Sequence, residues 1–375
     1  MTHAMVEGEA RFAYVGAYTR PELGGPGTGG ISVFAVTPDG ALSLTQTVPS
    51  DNPSFLALHP SQRYLYAVNE IDDYQGRETG SVEAYAIDPG TGALTLINRE
   101  DSAGAIPAHL AIDPGGKDVV VANYVGATFA VLPIRSDGGV APVSGTVVQT
   151  GSGPNPDRQQ APHPHGIAFA PTGDSLVTAD LGIDTVQTFR LDAGSGQLQP
   201  VGETAVTPGA GPRHLAFHPT GRILYLINEL DATVQVFPWD ADTGRPGDVL
   251  QTISTVPEDF QGTRNTAEIA VHPSGRFVYG SNRRQPGATS PEADSIVSFA
   301  VDQATGTLSL IGYATEGIRN PRHFALDPTG TRLYACNHHG NTIIQFAIDP
   351  DTGALAPAGQ VTETPAPVCI VFTTA

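Results

Sequence analysis

Six copies of one pattern, recurring roughly every fifty residues, set the limits on what this chain can fold into. The turn dipeptides His59-Pro60, Asp113-Pro114, Ala170-Pro171, His218-Pro219, His272-Pro273 and Asp327-Pro328 mark the copies, and successive prolines are 54, 57, 48, 54 and 55 residues apart. Repetition at such a period belongs to arrays in which each unit buries its apolar face against its neighbours. Within a copy one short apolar run precedes the proline and another follows it, as Leu215 to Phe217 and Ile223 to Ile227 flank Pro219, Thr220 and Gly221. Turn residues between two such runs predict a hairpin. A third run, such as VEAYAID or TIIQFAID, and a fourth behind a Gly-containing turn, as in DPGTGALTLI, QATGTLSLI and DPDTGALAPA, complete the unit. Four strands in this length make one propeller blade.

The N-terminus supplies a partial copy. RFAYVGAYT, GISVFAVT and GALSLTQTV match the second, third and fourth strands, and the missing first strand appears at the other end as Pro367 to Phe372, PVCIVF. Joining the two ends gives seven blades, and ring closure removes exposed sheet edges. The expected fold is therefore all-β: a seven-bladed β-propeller of four-stranded antiparallel blades, one domain over residues 12–375 behind a tail of residues 1–11. Scattered turns suit the 43 Gly and 32 Pro. Cys336 and Cys369 fall in strand-like runs and read as buried free thiols, because two cysteines make neither a metal motif nor a disulfide framework.

A net charge of −19 argues against nucleic acid or an anionic membrane as partner. Lys117 is the single lysine, so an anion site here must be built from Arg, His or backbone N–H groups. The opening MTHAMVEGEARF has no signal-peptide core, and no stretch approaches the length of a membrane span, so a cytoplasmic protein is expected. A monomer or weak homo-oligomer is expected as well.

Comparison between blades separates recurring positions from variable ones. Asn69, Asn123, Asp180, Asn228, Asn282 and Asn337 share the end of the second strand, and His109, His214 and His323 share a position in the first. Both columns read as structural, with the Asn column bonding local backbone. Two neighbouring columns vary: Ser54, Ala108, His165, Arg213, Ala267 and Arg322 before the His, and Tyr18, Glu70, Tyr124, Leu181, Glu229, Arg283 and His338 after the Asn. A hairpin brings its open ends together, so both variable columns face one rim, around the central channel. Insertions at Arg20 to Gly30, Ile71 to Gly80, Gly151 to Pro164 and Arg284 to Asp294 fall on the same rim as candidate walls.

His165, Arg213 with Glu229, and Arg283 come from the fourth, fifth and sixth blades as a contiguous arc. An imidazole and a carboxylate supply acid–base groups, and guanidinium groups hold an anion or a developing oxyanion. A plain Arg213–Glu229 rim salt bridge is the competing account. Glu70, Tyr124, Glu268, Arg322 and His338 face the channel by register and are candidate substrate contacts. His163 and His165 in PHPHG lack a third and fourth ligand, and the DPxTG turns resemble calcium loops only loosely, so no metal and no cofactor is expected.

GAGPRHLAFHP followed by LYLINEL, AEIAVHPSGRFVYGSNR and NPRHFALDPTGTRLYACN resemble the seven-bladed β-propeller lactonase family from about Phe12 to Phe372. The resemblance implies hydrolysis of 6-phosphogluconolactone, a small anionic lactone of the pentose phosphate pathway. The same family includes a fungal enzyme that lactonises carboxymuconate. A His, two Arg and a Glu are proposed for its site, and motif by motif they fall on His165, Arg213, Arg283 and Glu229. The expected activity is a metal-independent lactonase, with His165 preferred as acid and Glu229 as base because a carboxylate needs a raised pKa to act as acid. The competing readings are a carboxy-cis,cis-muconate lactonising cycloisomerase and a non-catalytic binding scaffold, since fold does not dictate function. The family pattern is broken by RQPGATSPEADSI after SNR and by the Pro-rich Gly151 to Pro164, both beside the expected site.

Overall fold

The computed structural model describes residues 10–171, 175–192, 194–284 and 294–374. Its strands form seven antiparallel sheets of at least four strands each. Numbered from the N-terminal blade, blade 1 orders its strands Pro367–Thr374, Ala10–Ala17, Gly30–Val36 and Leu42–Pro49. The closing pair runs in register from Phe12 opposite Thr373 to Gly16 opposite Cys369 and shifts by one residue before Ala17 opposite Pro367, so the missing first strand does come from the C-terminal segment. Blades 2 to 7 begin with the first strands Pro53–Leu58, Pro107–Ile112, Pro164–Phe169, Pro212–Phe217, Thr266–Val271 and Pro321–Leu326. Blade 5 adds a short pair, Arg245–Pro246 on Trp239 and Asp240.

The core is divided among the seams. Seven buried apolar clusters each straddle two adjacent blades, as Tyr225, Ile227, Val234 and Val236 of blade 5 meet Ile269, Val278, Val297 and Phe299 of blade 6. Cys336 and Cys369 are free, buried thiols in two of these layers. A blade isolated from the ring would expose both faces, which is why neighbours are obligatory.

Polar latches give each seam its register. Three residues before the end of the second strand, Tyr14, Tyr66, Tyr225, Tyr279 and Tyr334 are buried. Their hydroxyls donate to the carbonyls of Gly92, Gly138, Gly306, Gly353 and Gly40, each in the outer turn of the next blade, at 2.9 to 3.0 Å. Blades 3 and 4 carry Val120 and Val177 there instead. The turn glycine is required twice over: Gly353 has φ +73°, and a Cβ on it would meet the Phe277 ring at 2.4 Å.

Both repeated polar features are accounted for in these terms. Asn69, Asn123, Asn282 and Asn337 donate to the carbonyls of Asp51, Ser102, Thr255 and Gly317, just past the outer strand of the preceding blade. Whereas Asn228 donates to the Thr233 hydroxyl and Gln235 Oε1, these four bond backbone, across a seam rather than locally. The His of the His-Pro turns does likewise, with His59, His218 and His272 Nε2 on the carbonyls of Gly116, Gly275 and Gly330. In the DPxTG turns the carboxylate accepts from its own turn, as Asp349 does from Asp351 N, Thr352 N and the Thr352 hydroxyl.

Tyr225→Phe deletes one latch and strands the Gly306 carbonyl with no change in shape. The expected loss is about 1 kcal/mol, read as a lower urea midpoint at unchanged slope.

Candidate functional site

Each first strand opens with a register shift of one residue, between Pro53 and Phe55, Pro107 and His109, Pro164 and Gly166, Pro212 and His214, and Pro321 and His323. The skipped residues are Ser54, Ala108, His165, Arg213 and Arg322, so the first variable column is a column of β-bulges. A bulge frees a residue from the ladder and re-aims its side chain. The second column is pinned by one further bond: the N–H groups of Glu70, Tyr124, Glu229 and His338 donate to the carbonyls of Asn52, Ile106, Gly211 and Asn320 at 2.7 to 3.1 Å. Those four acceptor residues all have φ between 45° and 67°, including the β-branched Ile106 at 53°. Such φ values are rare for β-branched residues and cluster at functional sites.

Glu229 is the charged centre of the arc. Its Oε2 accepts from Arg213 Nε at 2.9 Å and Arg283 Nη2 at 3.1 Å, and its Oε1 from Arg158 Nη2 at 2.7 Å. Burial works to raise its pKa, but the charges of Arg283, Arg158 and Arg213 together hold the carboxyl far below the usual carboxylate range. Arg213 also donates from Nη1 to the Ala267 carbonyl at 2.6 Å, and Arg283 from Nε to the Thr266 carbonyl at 3.1 Å. Burial, then the Arg283 charge, pushes Arg213 down to about 9, so it stays ionised at neutral pH.

A cavity of about 410 Å³ opens beside this cluster, walled by Arg158, Arg283, Arg322, Glu229, Glu70, His165, Tyr124, Tyr18, Leu23, Ala108 and Asn265. Three guanidinium groups face two carboxylates, one positive charge in excess in a chain of −19. Glu70 accepts from the Tyr18 hydroxyl at 2.9 Å. Arg322 lies over the Tyr18 ring at 5.1 Å and 3.7 Å from Glu70, beyond hydrogen-bond reach. Among the described residues it finds no hydrogen-bond acceptor, so its planar fork is open to a ligand.

His165 is buried, edge-on to Tyr124 at 5.6 Å, and its Nδ1 has no protein partner. The protein therefore does not fix its tautomer, and either ring nitrogen can carry the lone pair. Burial first, then the charge of Arg213, drives its pKa well below the ordinary histidine value, so the ring is neutral. This reverses the sequence-based preference for His165 as acid and Glu229 as base. Three guanidinium groups make Glu229 a poor proton acceptor, and desolvation leaves the resting His165 ring without a proton to give.

The His column forms a floor layer beneath the cavity wall that does not itself line the cavity, with the His214 ring 5.1 Å from that of His165. Rings of Phe55 and His109 lie 4.0 Å apart and those of His109 and His214 4.9 Å apart. Glu268 Oε2 sits 3.0 Å from His214 Nδ1 and 3.3 Å from His323 Nε2. Of the expected site residues, His165, Glu229, Arg283, Arg322, Glu70 and Tyr124 meet on the cavity wall, whereas Arg213, Glu268 and His338 do not. Arg213 stands behind Glu229, Glu268 belongs to the floor, and His338 Nε2 contacts the Leu23 carbonyl at 2.8 Å, which supports that wall. Two insertions reach the cavity: Arg20 to Gly30 through Leu23, and Gly151 to Pro164 through Arg158. Ile71 to Gly80 does not line it, and of Arg284 to Asp294, residues 285–293 lie outside the described residues.

Sequence reasoning passed over Arg158, Leu23, Tyr18 and Asn265. Tyr18 shares a column with Glu70 and Glu229, a signal that was available, but Arg158 and Leu23 have no counterpart in other blades. His163 stacks on Tyr124 at 4.3 Å, with Nδ1 3.0 Å from the Tyr124 carbonyl. No group of three or more His, Cys, Asp or Glu suited to a metal ion occurs among the described residues. No helix among them is long and apolar enough to cross a membrane.

Residues 12–372 match the family described as lactonase, 7-bladed beta-propeller. A Bacillus subtilis 6-phosphogluconolactonase is 34% identical over 362 residues, 96% of this chain and 97% of that protein. A Formosa agariphila 6-phosphogluconolactonase is 35% identical over 333 residues, 88% and 90% of the two chains. Among solved structures, a periplasmic gluconolactonase of Pseudomonas aeruginosa superposes with a TM-score of 0.85 at 31% identity, covering 96% of this chain and 98% of that one.

Glu229→Gln leaves two buried guanidinium groups, Arg213 and Arg283, and the partly exposed Arg158 without their anion. A stability loss of about 3 kcal/mol or more is expected, the range for breaking a buried ion pair from one side, measured by urea unfolding. Glu70→Gln, whose ion pair is longer, should cost less.

Proposed function

The chain belongs to the seven-bladed β-propeller lactonase family, and on that premise we propose that it hydrolyses 6-phosphogluconolactone to 6-phosphogluconate by acid–base chemistry without a metal. The observation that carries the reading is a neutral, protein-unpartnered imidazole, His165, in a cavity of positive excess beside the uncommitted fork of Arg322.

In this reading His165 takes a proton from water as the oxygen attacks the lactone carbonyl. Arg283, with one terminal nitrogen not bonded to protein, stabilises the oxyanion. Collapse breaks the bond to the ring oxygen, and the imidazolium returns its proton to the leaving alkoxide. Glu229 keeps three guanidinium groups in position rather than moving protons. Arg322 anchors the substrate anion, and Arg213 acts as a positioning residue behind Glu229. The names of the B. subtilis and F. agariphila relatives favour the phosphorylated substrate, hence a place in the cytoplasmic pentose phosphate pathway.

Hydrolysis of 6-phosphogluconolactone, corrected for spontaneous opening, should persist with chelator present. His165→Ala should lower kcat by about 10²-fold or more, the scale of a lost acid–base group. Arg322→Met should act mainly on KM. Wild-type turnover no faster than buffer rejects the reading. With an unphosphorylated lactone, the acid limb of kcat/KM should lie below pH 6.5, because a depressed His165 remains an unprotonated base there.

A further inference from the structure

The structural neighbours and relatives include proteins named for a phosphorylated lactone and one named for an unphosphorylated lactone. A family that covers both needs some group to register the phosphate.

Arg158 differs from the other two guanidinium groups on Glu229 in every respect that matters for this task. It stands on the Gly151 to Pro164 insertion, whereas Arg213 and Arg283 stand on blade strands or their ends. Its side chain is 31% exposed, against 3% for Arg213 and 11% for Arg283. Arg213 and Arg283 share Oε2 of Glu229, and each commits a second nitrogen to a buried carbonyl, so neither can turn away without stranding a donor. Arg158 makes both of its bonds through Nη2, to Glu229 Oε1 at 2.7 Å and to the Tyr124 hydroxyl at 3.3 Å. Nε and Nη1 remain for a ligand.

The loop beneath it is fixed. Fully buried Gln159 donates to the Leu181 carbonyl at 2.9 Å and to Asp184 Oδ1 at 2.7 Å, and accepts from Asn155 N at 3.0 Å. Rotamer change about an anchored Cα is therefore the motion open to Arg158.

We infer that Arg158 is a specificity-determining residue that joins Arg322 on the substrate's phosphate, exchanging Glu229 Oε1 for a pair of phosphate oxygens. This rests on the lactonase reading above. The guanidinium fork fits phosphate bidentately. A phosphate ester near neutral pH carries about −1.5 to −2 charge against −1 on Glu229, so the incoming anion competes on favourable terms. An unphosphorylated lactone offers no such competitor, and Arg158 then stays on Glu229.

Arg158→Met keeps the aliphatic stem and deletes the charge. The ratio of kcat/KM for 6-phosphogluconolactone to that for glucono-δ-lactone should fall about 30-fold or more, the lower end for losing a charged partner. Arg158→Lys, a cation without the fork, should retain part of that ratio. A merely structural Arg158 would lower both rates alike and leave the ratio unchanged, which overturns the inference. Calorimetry supplies a readout independent of turnover: the ratio of gluconate to 6-phosphogluconate dissociation constants should shrink to a similar degree in Arg158→Met. If wild-type protein shows no hydrolysis above buffer, the lactonase reading fails, while the calorimetric ratio still decides the role of Arg158. A ratio equal to wild type rejects it.

Discussion

Everything in this molecule depends on the pairing of Pro367–Thr374 with Ala10–Ala17. No blade has a core of its own, since each apolar layer lies between two neighbours, and a row of seven without closure would leave two faces bare. Closing the ring also fixes the rim. His165, Glu229, Arg283, Arg322 and Glu70 come from blades 4, 5, 6, 7 and 2, and their mutual distances are a property of the whole circle. The site is built by long-range closure and decorated by local bulges.

The architecture was legible because repetition shows through chemistry: six proline turns and the turn glycines recur whatever surrounds them. The rim columns were legible for the same reason. The bulge that aims His165 and Arg322 inward was not, because a one-residue register shift leaves no mark in composition. Nor could spacing show that Arg213 ends behind Glu229 or that Glu268 sinks to the floor against His214 and His323; one position along a bulged strand separates wall from floor. Arg158 escaped because insertions share no register with anything. Its contact with Glu229 spans 71 residues and exists only once blade 4 stands beside blade 5.

Local and overall charge have opposite signs here, and Glu229 reconciles them. Burial first, and then the charges of neighbouring guanidinium groups, depress the pKa values of Arg213 and Arg283. A single buried carboxylate holds three of them and forfeits its own basicity in doing so. In the proposed reaction, proton traffic is left to a neighbouring imidazole kept neutral chiefly by burial. One constellation thereby divides anion binding from proton transfer, although both kinds of residue look alike as candidates in a sequence.

The tyrosine latches are unevenly distributed. Five second strands send a hydroxyl into the next blade, but Val120 and Val177 send none, and the seams of blade 4 are tied instead by bonds such as Ser144 Oγ to the Gly196 carbonyl and Arg158 to Glu229. Hydrogen bonds resist sliding because they are directional, whereas apolar surfaces tolerate small offsets. Blade 4 carries His165, with the arm bearing Arg158 leading into it. Mechanically the ring is a hoop whose fastening changes at one sector, from repeated tyrosine latches to ties peculiar to blade 4.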